Sequence, residues 1–207
     1  NNAERTPNGS LTPVDPKTGK PGKAVPVDDP YNMYFTPDGR SAIVVAEAFK
    51  RLDFRDPATM QLQYSIDVPR CAGINHADFS IDGRYAIFTC EFTGGVAKID
   101  LVERKVLGYL QLILPGKPTK VVKGPDGRDE TICTTWKGMP QDIRVSPDGK
   151  TWYIADMMSN GVYVVDGERF AQIDYVKTST GAHGLYPSRD GRKLYIANRG
   201  SNKIHAP

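Results

Sequence analysis

The stretch GINHADFSIDGRYAIFTCEF, residues 73–92, contains an apolar run, an Asp-Gly turn at Asp82-Gly83 and a second apolar run. Asp-Gly favours a hairpin because Gly accepts the positive φ that such a turn requires. The same skeleton occurs before it as YNMYFTPDGRSAIVVAEAF and after it as PQDIRVSPDGKTWYIADMM and AHGLYPSRDGRKLYIANRG. The sequence therefore predicts one hairpin unit that recurs along the chain.

The spacing of this unit indicates the architecture. The four Asp-Gly turns begin at residues 38, 82, 148 and 190, which are 44, 66 and 42 residues apart. A second Asp follows each of the first three by 18 residues, at Asp56, Asp100 and Asp166. A period of about 40–45 residues with several short strands is typical of propeller blades. Since no window shows a sustained helical stripe, the predicted class is all-β, a β-propeller of four-stranded antiparallel blades.

The second unit shows the predicted blade most clearly, with strands at Ala77–Ser80, Tyr85–Cys90, Gly95–Asp100 and Val106–Leu112. Its second strand, YAIFTC, is almost continuously apolar, as are SAIVVA, TWYIA and KLYIA in the other units. Such a strand fits a position covered on both faces by neighbouring blades.

The remaining sequence divides around these units into a single propeller segment over residues 1–207. The predicted parts are a flexible leader (1–9), a half blade (10–27), blades at 30–68 and 74–112, an inserted loop (113–139), a blade at 140–177 and a truncated half blade (182–207). The inserted loop carries its own PDGR, so a small extra hairpin is expected there. About four blades' worth of sequence is present, either as a partial arc of a larger ring or as a closed four-bladed ring.

Composition excludes some classes of function. The net charge is +3 with interspersed Lys and Arg and no basic stripe, which disfavours nucleic-acid binding. No apolar stretch approaches the roughly 20 residues that a membrane helix needs. Among the three cysteines, a disulfide between Cys71 and Cys133 is conceivable, whereas Cys90 is expected to pack as a small buried hydrophobe. The absence of any C-x-x-C pair disfavours structural zinc.

The segments SPDGKTWYIAD and SRDGRKLYIANRGSN resemble the YVTN-type β-propeller repeat, whose core runs S-P-D-G-K-x-L-Y-V-A-N, and VDPKTGK resembles the turn between its third and fourth strands. The resemblance covers the chain from about residue 10. It implies a seven-bladed, bacterial or archaeal and commonly exported protein, so the expected location is the periplasm, the cell envelope or the extracellular space. The wider superfamily includes haem-binding propellers, amine dehydrogenase subunits and lactonases; no C-x-x-C-H haem-attachment motif occurs here.

The candidate site follows from blade topology. The starts of the innermost strands ring one mouth of the central channel, where propellers usually bind, and the ends of the second strands lie at the same end of each blade. Polar side chains of both groups are expected to converge there. The candidate ligand-binding residues are Asn32, His76, Asp142, His183, Glu91 and Asp156.

Each candidate also has a structural alternative. A histidine at this position often hydrogen-bonds a neighbouring blade, and the acidic residues could be solvated loop charges. The sequence contains no G-x-S-x-G, no H-E-x-x-H and no phosphate-binding glycine loop, so no residue is assigned as catalytic. The first hypothesis is a scaffold that binds a protein or small molecule at the mouth. The alternative is a metal- or cofactor-dependent oxidoreductase or lactonase, with the metal and cofactor left unassigned.

Overall fold

The computed structural model describes residues 8–200 and the backbone of residues 204–205. All regular structure in these residues is β, which confirms the predicted class. The expected leader falls mostly on residues 1–7, which lie outside the described part of the chain. The strands are β1 Gly9–Leu11, β2 Val25–Val27, β3 Pro30–Phe35, β4 Ala42–Ala46, β5 Arg51–Arg55, β6 Leu62–Asp67, β7 Ile74–Phe79, β8 Tyr85–Cys90, β9 Gly95–Asp100, β10 Lys105–Gln111, β11 Lys120–Lys123, β12 Asp129–Ile132, β13 Pro140–Val145, β14 Thr151–Asp156, β15 Gly161–Asp166, β16 Ala171–Lys177, β17 Ala182–Pro187, β18 Leu194–Asn198 and β19 Ile204–His205.

Three four-stranded antiparallel meanders form the body of the chain. They are β3-β4-β5-β6, β7-β8-β9-β10 and β13-β14-β15-β16, and a three-stranded sheet β17-β18-β19 follows them. Contacts between successive sheets join the first strands, β3 with β7, β7 with β13, and β13 with β17. The first strand of each meander is therefore innermost, as in a propeller blade.

The repeated aspartates are turn residues, as their spacing predicts. Asp82 Oδ1 accepts the Ser80 hydroxyl at 2.7 Å and the Arg84 amide at 3.1 Å, and Gly83 adopts a φ of +69°. At the next turn along the blade, Asp100 Oδ1 accepts the amides of Val102 and Glu103, both at 2.8 Å. Through Oδ1, these carboxylates fix the hairpin turns.

The apolar core lies between the blades. Ala86 and Phe88 of β8 join the cluster shared with the β3–β6 sheet, whereas Ile87 joins the cluster shared with the β13–β16 sheet. Since successive side chains of a strand point to opposite faces, β8 is buried on both. This explains why the second strand of each unit is continuously apolar.

The insertion after the second meander forms the expected extra hairpin. Strands β11 and β12 pair over Lys120–Lys123 and Asp129–Ile132, around a turn in which the Gly127 amide donates to the Gly124 carbonyl. Strands β1 and β2 pair in the same way at the start of the described chain. Both hairpins are two-stranded sheets of their own.

The structure contains a disulfide, but not the Cys71–Cys133 pair that the sequence left open. Cys71 is bonded to Cys90, and Cys133 is a buried free thiol. Cys90 is buried at the end of an apolar strand, as expected, and it is also one partner of the disulfide. Chain reversal in β7 and β8 brings the loop before β7 against the end of β8, with a Cα–Cα distance of 4.8 Å between the two cysteines.

Candidate functional site at the channel mouth

The innermost strands all carry an irregularity at the same height. Register shifts occur between Pro30 and Asn32, Ile74 and Ala77, Pro140 and Ile143, and Ala182 and Gly184. A β-bulge adds a residue to one strand and turns its side chain away from strict alternation. In the last blade the additional residue is His183. The bulges therefore place Tyr31, Asn75-His76, Gln141-Asp142 and His183 at the start of each innermost strand.

Side chains from one blade close the inner edge of the next. The amides of Ala77, Val145 and Leu185 belong to strand edges with which no other described strand pairs. A side chain of the preceding innermost strand accepts each of them, so these acceptors act as struts between blades. The bonds join the Ala77 amide to Tyr34 Oη at 3.0 Å, the Val145 amide to Asp78 Oδ2 at 2.9 Å and the Leu185 amide to Asp142 Oδ2 at 2.9 Å.

Asp142 is the most engaged of the predicted site residues. It is buried, and its Oδ1 accepts the Ile143 amide at 2.9 Å and the Arg144 guanidinium at 2.7 Å. With Oδ2 bonded to the Leu185 amide, both oxygens have protein partners. The geometry gives Asp142 a structural part in the mouth.

His76 lies beside the first blade. Asn32 Nδ2 is 3.3 Å from His76 Nδ1, and Asn32 Oδ1 accepts the Met33 amide at 2.9 Å, which fixes the amide orientation. An amide nitrogen can only donate, so Nδ1 accepts and the proton of the neutral ring is on Nε2. The Tyr31 ring lies nearly perpendicular to the imidazole, with ring centroids 5.9 Å apart.

Both mouth histidines favour the neutral form. Burial lowers the pKa of His76, and the neighbouring His183 and Arg144 charges act in the same direction, against Asp142 and Glu91. Burial likewise lowers the pKa of His183, with Arg199 adding to the effect. Asp142 and Glu91 thus act on the pKa of both rings, in the direction opposite to burial.

Glu91 belongs to a bonded chain that crosses between blades. Its Oε2 accepts Asn75 Nδ2 at 3.0 Å, and Asn75 Oδ1 accepts the Thr89 hydroxyl. Thr89 Oγ1 lies 2.8 Å from the Gln141 carbonyl of the next blade. Glu91 is half-buried and, together with Glu47, contributes to the burial-dominated rise in the pKa of Tyr31. A carboxylate, a phenol and two imidazoles therefore share the mouth.

Asp156 differs in register from Glu91, with which the sequence grouped it. Strand pairing sets Asp156 opposite Pro140 and Cys90 opposite Ile74, so Asp156 corresponds to Cys90 and lies one residue earlier than Glu91. Its side chain is buried, and Oδ1 accepts the amides of Met158 and Ser159 at 3.0 and 2.8 Å. Asp156 thus organises the turn after β14.

Sequence reasoning missed three contributors to the mouth. Tyr34 and Arg144 follow Asn32 and Asp142 by two residues, and alternation along the strand could have identified both. Arg199 follows β18 and lowers the pKa of His183, an effect that depends on the approach of separate blades. No sequence signal marks that approach.

The described residues form neither a metal-binding cluster nor a membrane-spanning helix. Within residues 8–200, no three His, Cys, Asp or Glu side chains are grouped so that they could hold a metal ion. The same part of the chain includes no helix with the length and apolar character needed to cross a membrane.

Comparison with solved structures identifies the fold. The chain is similar to the periplasmic gluconolactonase of Pseudomonas aeruginosa (TM-score 0.73, 18% identity, 99% of this chain and 61% of that chain). It is also similar to a protein from Lactobacillus plantarum (TM-score 0.76, 14% identity, 95% and 59%) and to the hydrazine synthase of Kuenenia stuttgartiensis (TM-score 0.65, 18% identity, 86% and 45%). No protein-family model and no curated protein matches the sequence.

The meanders, their innermost strands and these similarities define the class: an all-β protein with propeller-type blades. The chain spans 61%, 59% and 45% of the lengths of the three proteins named. At such low identity, the similarity extends to the fold alone.

Proposed function

We propose that the chain is a segment of an exported, YVTN-type propeller whose channel mouth binds a small polyhydroxylated ligand. The observation that carries the proposal is the grouping of His76, His183, Tyr31 and Glu91 at the bulged mouth. Neutral imidazoles and a phenol offer donors and acceptors, and a carboxylate accepts hydroxyl protons. Such a set of groups suits a sugar or a sugar lactone. The number of blades in the complete protein, seven by resemblance, belongs to this proposal.

The disulfide supports export. Cys71–Cys90 is buried, and structural disulfides persist mainly in oxidising compartments outside the cytosol. Alkylation of the denatured, unreduced chain followed by mass spectrometry should modify Cys133 alone. Modification of all three cysteines in protein isolated from its native compartment would contradict an exported location.

Calorimetric titration with D-glucono-1,5-lactone and with D-gluconate tests ligand binding. We expect binding by the wild-type chain and a loss of about tenfold in affinity when His76→Gln and His183→Gln are combined, because several donors and acceptors are altered. Arg192→Gln, an exposed change beside the Asp190-Gly191 turn, serves as the control. The proposal fails if neither probe binds, or if the double variant binds as well as the wild type.

Lactone hydrolysis is the second candidate function. The observation that favours it is the neutral His183 imidazole at the mouth, with its pKa lowered by burial. Such a ring can accept a proton from a water molecule as the water oxygen attacks the lactone carbonyl; the ring C–O bond then breaks and its oxygen takes a proton. The similar Pseudomonas aeruginosa protein is named a gluconolactonase.

A pH-stat assay with D-glucono-1,5-lactone distinguishes the two functions. A rate equal to that of buffer, together with calorimetric binding, supports the scaffold. A faster rate that disappears in His183→Gln supports hydrolysis. The assay should be run with and without added divalent cations, so that a metal-dependent rate is also detected.

A further inference from the structure

A groove beside the inserted hairpin is separate from the channel mouth. It has a volume of about 720 Å³, within the range of ligand-binding clefts. Its walls include three consecutive residues of β10, Tyr109–Gln111, and all four residues of β12, Asp129–Ile132. Successive side chains of a strand point to opposite faces, so a wall that includes every residue is a strand edge. Two strand edges therefore border the groove.

Along an antiparallel strand, the backbone groups of successive residues point alternately toward and away from the neighbouring strand, which shows which groups of β10 point into the groove. The Leu112 amide donates to the Gly94 carbonyl, so Leu110, two residues earlier, also directs its backbone toward β9. The amides and carbonyls of Tyr109, Gln111 and Ile113 point the other way. Among the described strands, β10 pairs with β9 alone.

The backbone groups of β12 alternate in the same way. The Gly124 amide donates to the Arg128 carbonyl, so Glu130 and Ile132 direct their backbones toward β11. Asp129, Thr131 and Cys133 direct theirs away from β11. Within the part of the chain that the structure describes, β12 pairs with β11 alone, although it contacts β10.

Each edge is closed at one residue by a side-chain carboxamide. Gln111 Oε1 accepts the Cys133 amide at 2.9 Å, and Gln111 Nε2 donates to the Cys133 carbonyl at 3.1 Å. Gln172 makes the same pair of bonds with Ile113, at 2.8 and 2.9 Å. A carboxamide has the donor and acceptor of a peptide group, so these side chains occupy the place of a neighbouring strand.

In the described part of the chain, the other groove-facing backbone groups of the two strands have no carboxamide that bonds them. Among the described residues, no hydrogen bond joins the backbones of Tyr109 or Gln111 to those of Asp129 or Thr131. The Arg70 guanidinium spans the groove region, lying 4.8 Å from the centroid of the Tyr109 ring and bonding both Glu130 carboxylate oxygens, and so holds β12 near the blade.

We propose that this groove binds an extended peptide segment of another protein by β-strand addition. The chemistry of the occupant follows from the unpaired groups: alternating amides and carbonyls are matched by another peptide backbone. Four residues of strand extend about 13 Å, so the groove accommodates a short segment. Val96, Leu110, Ile132 and Phe170 also line it, so apolar side chains at alternate positions of the peptide would be buried.

Two proline substitutions at one cross-strand pair test the proposal. Thr131→Pro removes an amide that faces the groove, whereas Val121→Pro removes the amide of its partner on the opposite edge of the same hairpin. Neither amide pairs within the hairpin. Short random peptides displayed on phage are selected on the wild-type chain and then titrated against both variants. We expect Thr131→Pro to weaken binding about tenfold and Val121→Pro to leave it unchanged.

Hydrogen exchange provides a second test that needs no variant. A saturating selected peptide should protect the amides of Tyr109, Gln111, Asp129 and Thr131, while those of Leu110 and Glu130 are already protected in the free chain. The proposal fails if no peptide is selected, if both prolines act alike, or if protection appears only at the mouth. It also fails if sedimentation shows that Thr131→Pro abolishes self-association of the chain, because the occupant would then be a second copy.

Discussion

The inner and outer strand edges of this protein meet the same physical requirement in different ways. At the inner edge, the amides of Ala77, Val145 and Leu185 are each accepted by a side chain of the preceding blade. At the outer edge beside the insertion, the Gln111 side chain bonds the backbone of Cys133 and the Gln172 side chain bonds that of Ile113. Among the residues that the structure describes, the groove-facing backbone groups that precede Cys133 and Ile113 stay unpaired. Closed edges hold blades together, whereas open edges can pair with another chain.

Removing the most buried inner strut should have the largest effect. Asp142→Ala leaves the Leu185 amide unpaired and the Arg144 guanidinium without its carboxylate. We expect the free energy of unfolding to fall by about 3 kcal/mol, because the variant leaves both a buried amide and a partly buried charge without a partner. Urea unfolding measures it. Asp129→Ala, whose carboxylate pairs with the exposed Lys123, is the control and should change stability by less than about 1 kcal/mol. Equal losses would remove the distinction between struts and surface ion pairs.

Removing a strut that carries no charge should lower the free energy of unfolding by less than removing Asp142. Tyr34→Phe removes the hydroxyl that accepts the Ala77 amide and bonds Asn32, which should lower the free energy of unfolding by about 1.5 kcal/mol. Tyr186, at the corresponding position of β17, is exposed, so Tyr186→Phe should have almost no effect. If both variants were equally stable, the Tyr34 bond would not act as a strut.

The mouth should also respond to pH. Burial lowers the pKa of His76 and His183, so the unfolded chain binds protons more readily than the folded chain. Their contribution is complete above the ordinary imidazole pKa of about 6.5 and is lost as the pH falls below it toward the lowered values. Because both rings are only half-buried, we expect a smaller loss than for a strut.

Urea unfolding at about pH 7.5 and about pH 5.5 measures this dependence, on both sides of the ordinary imidazole pKa. His76→Gln together with His183→Gln should flatten it. An unchanged slope in the double variant would assign the dependence to other groups.

The outer ion pair should contribute least. Arg70 and Glu130 are partly exposed, so Arg70→Gln should lower the free energy of unfolding by only about 0.5 kcal/mol. The same change should accelerate hydrogen exchange in β12, because the hairpin loses its bond to the blade. Arg128→Gln, at the exposed turn of the same hairpin, should leave exchange in β12 unchanged. Faster exchange in both variants would mean that Arg70 has no particular role in holding the hairpin.

The sequence by itself determined the blades. Asp-Gly turns such as Asp82-Gly83 depend on local φ and on side chains within two residues, and the continuous apolar pattern of β8 reports burial on both faces. The Asp-Gly turn and the apolar pattern both depend on residues of a single hairpin. The sequence also placed His76 and His183 at the starts of innermost strands, where the structure has them.

The tertiary structure alone decided how these residues are used. Asp142 became a strut because Leu185, 43 residues later, directs an unpaired amide at it. Cys71 pairs with Cys90 because the chain reverses between β7 and β8. The open edges of β10 and β12 depend on which residues direct their backbone groups away from the strand with which each is paired. Such relations join residues that are distant in sequence, so no local pattern of residue types encodes them.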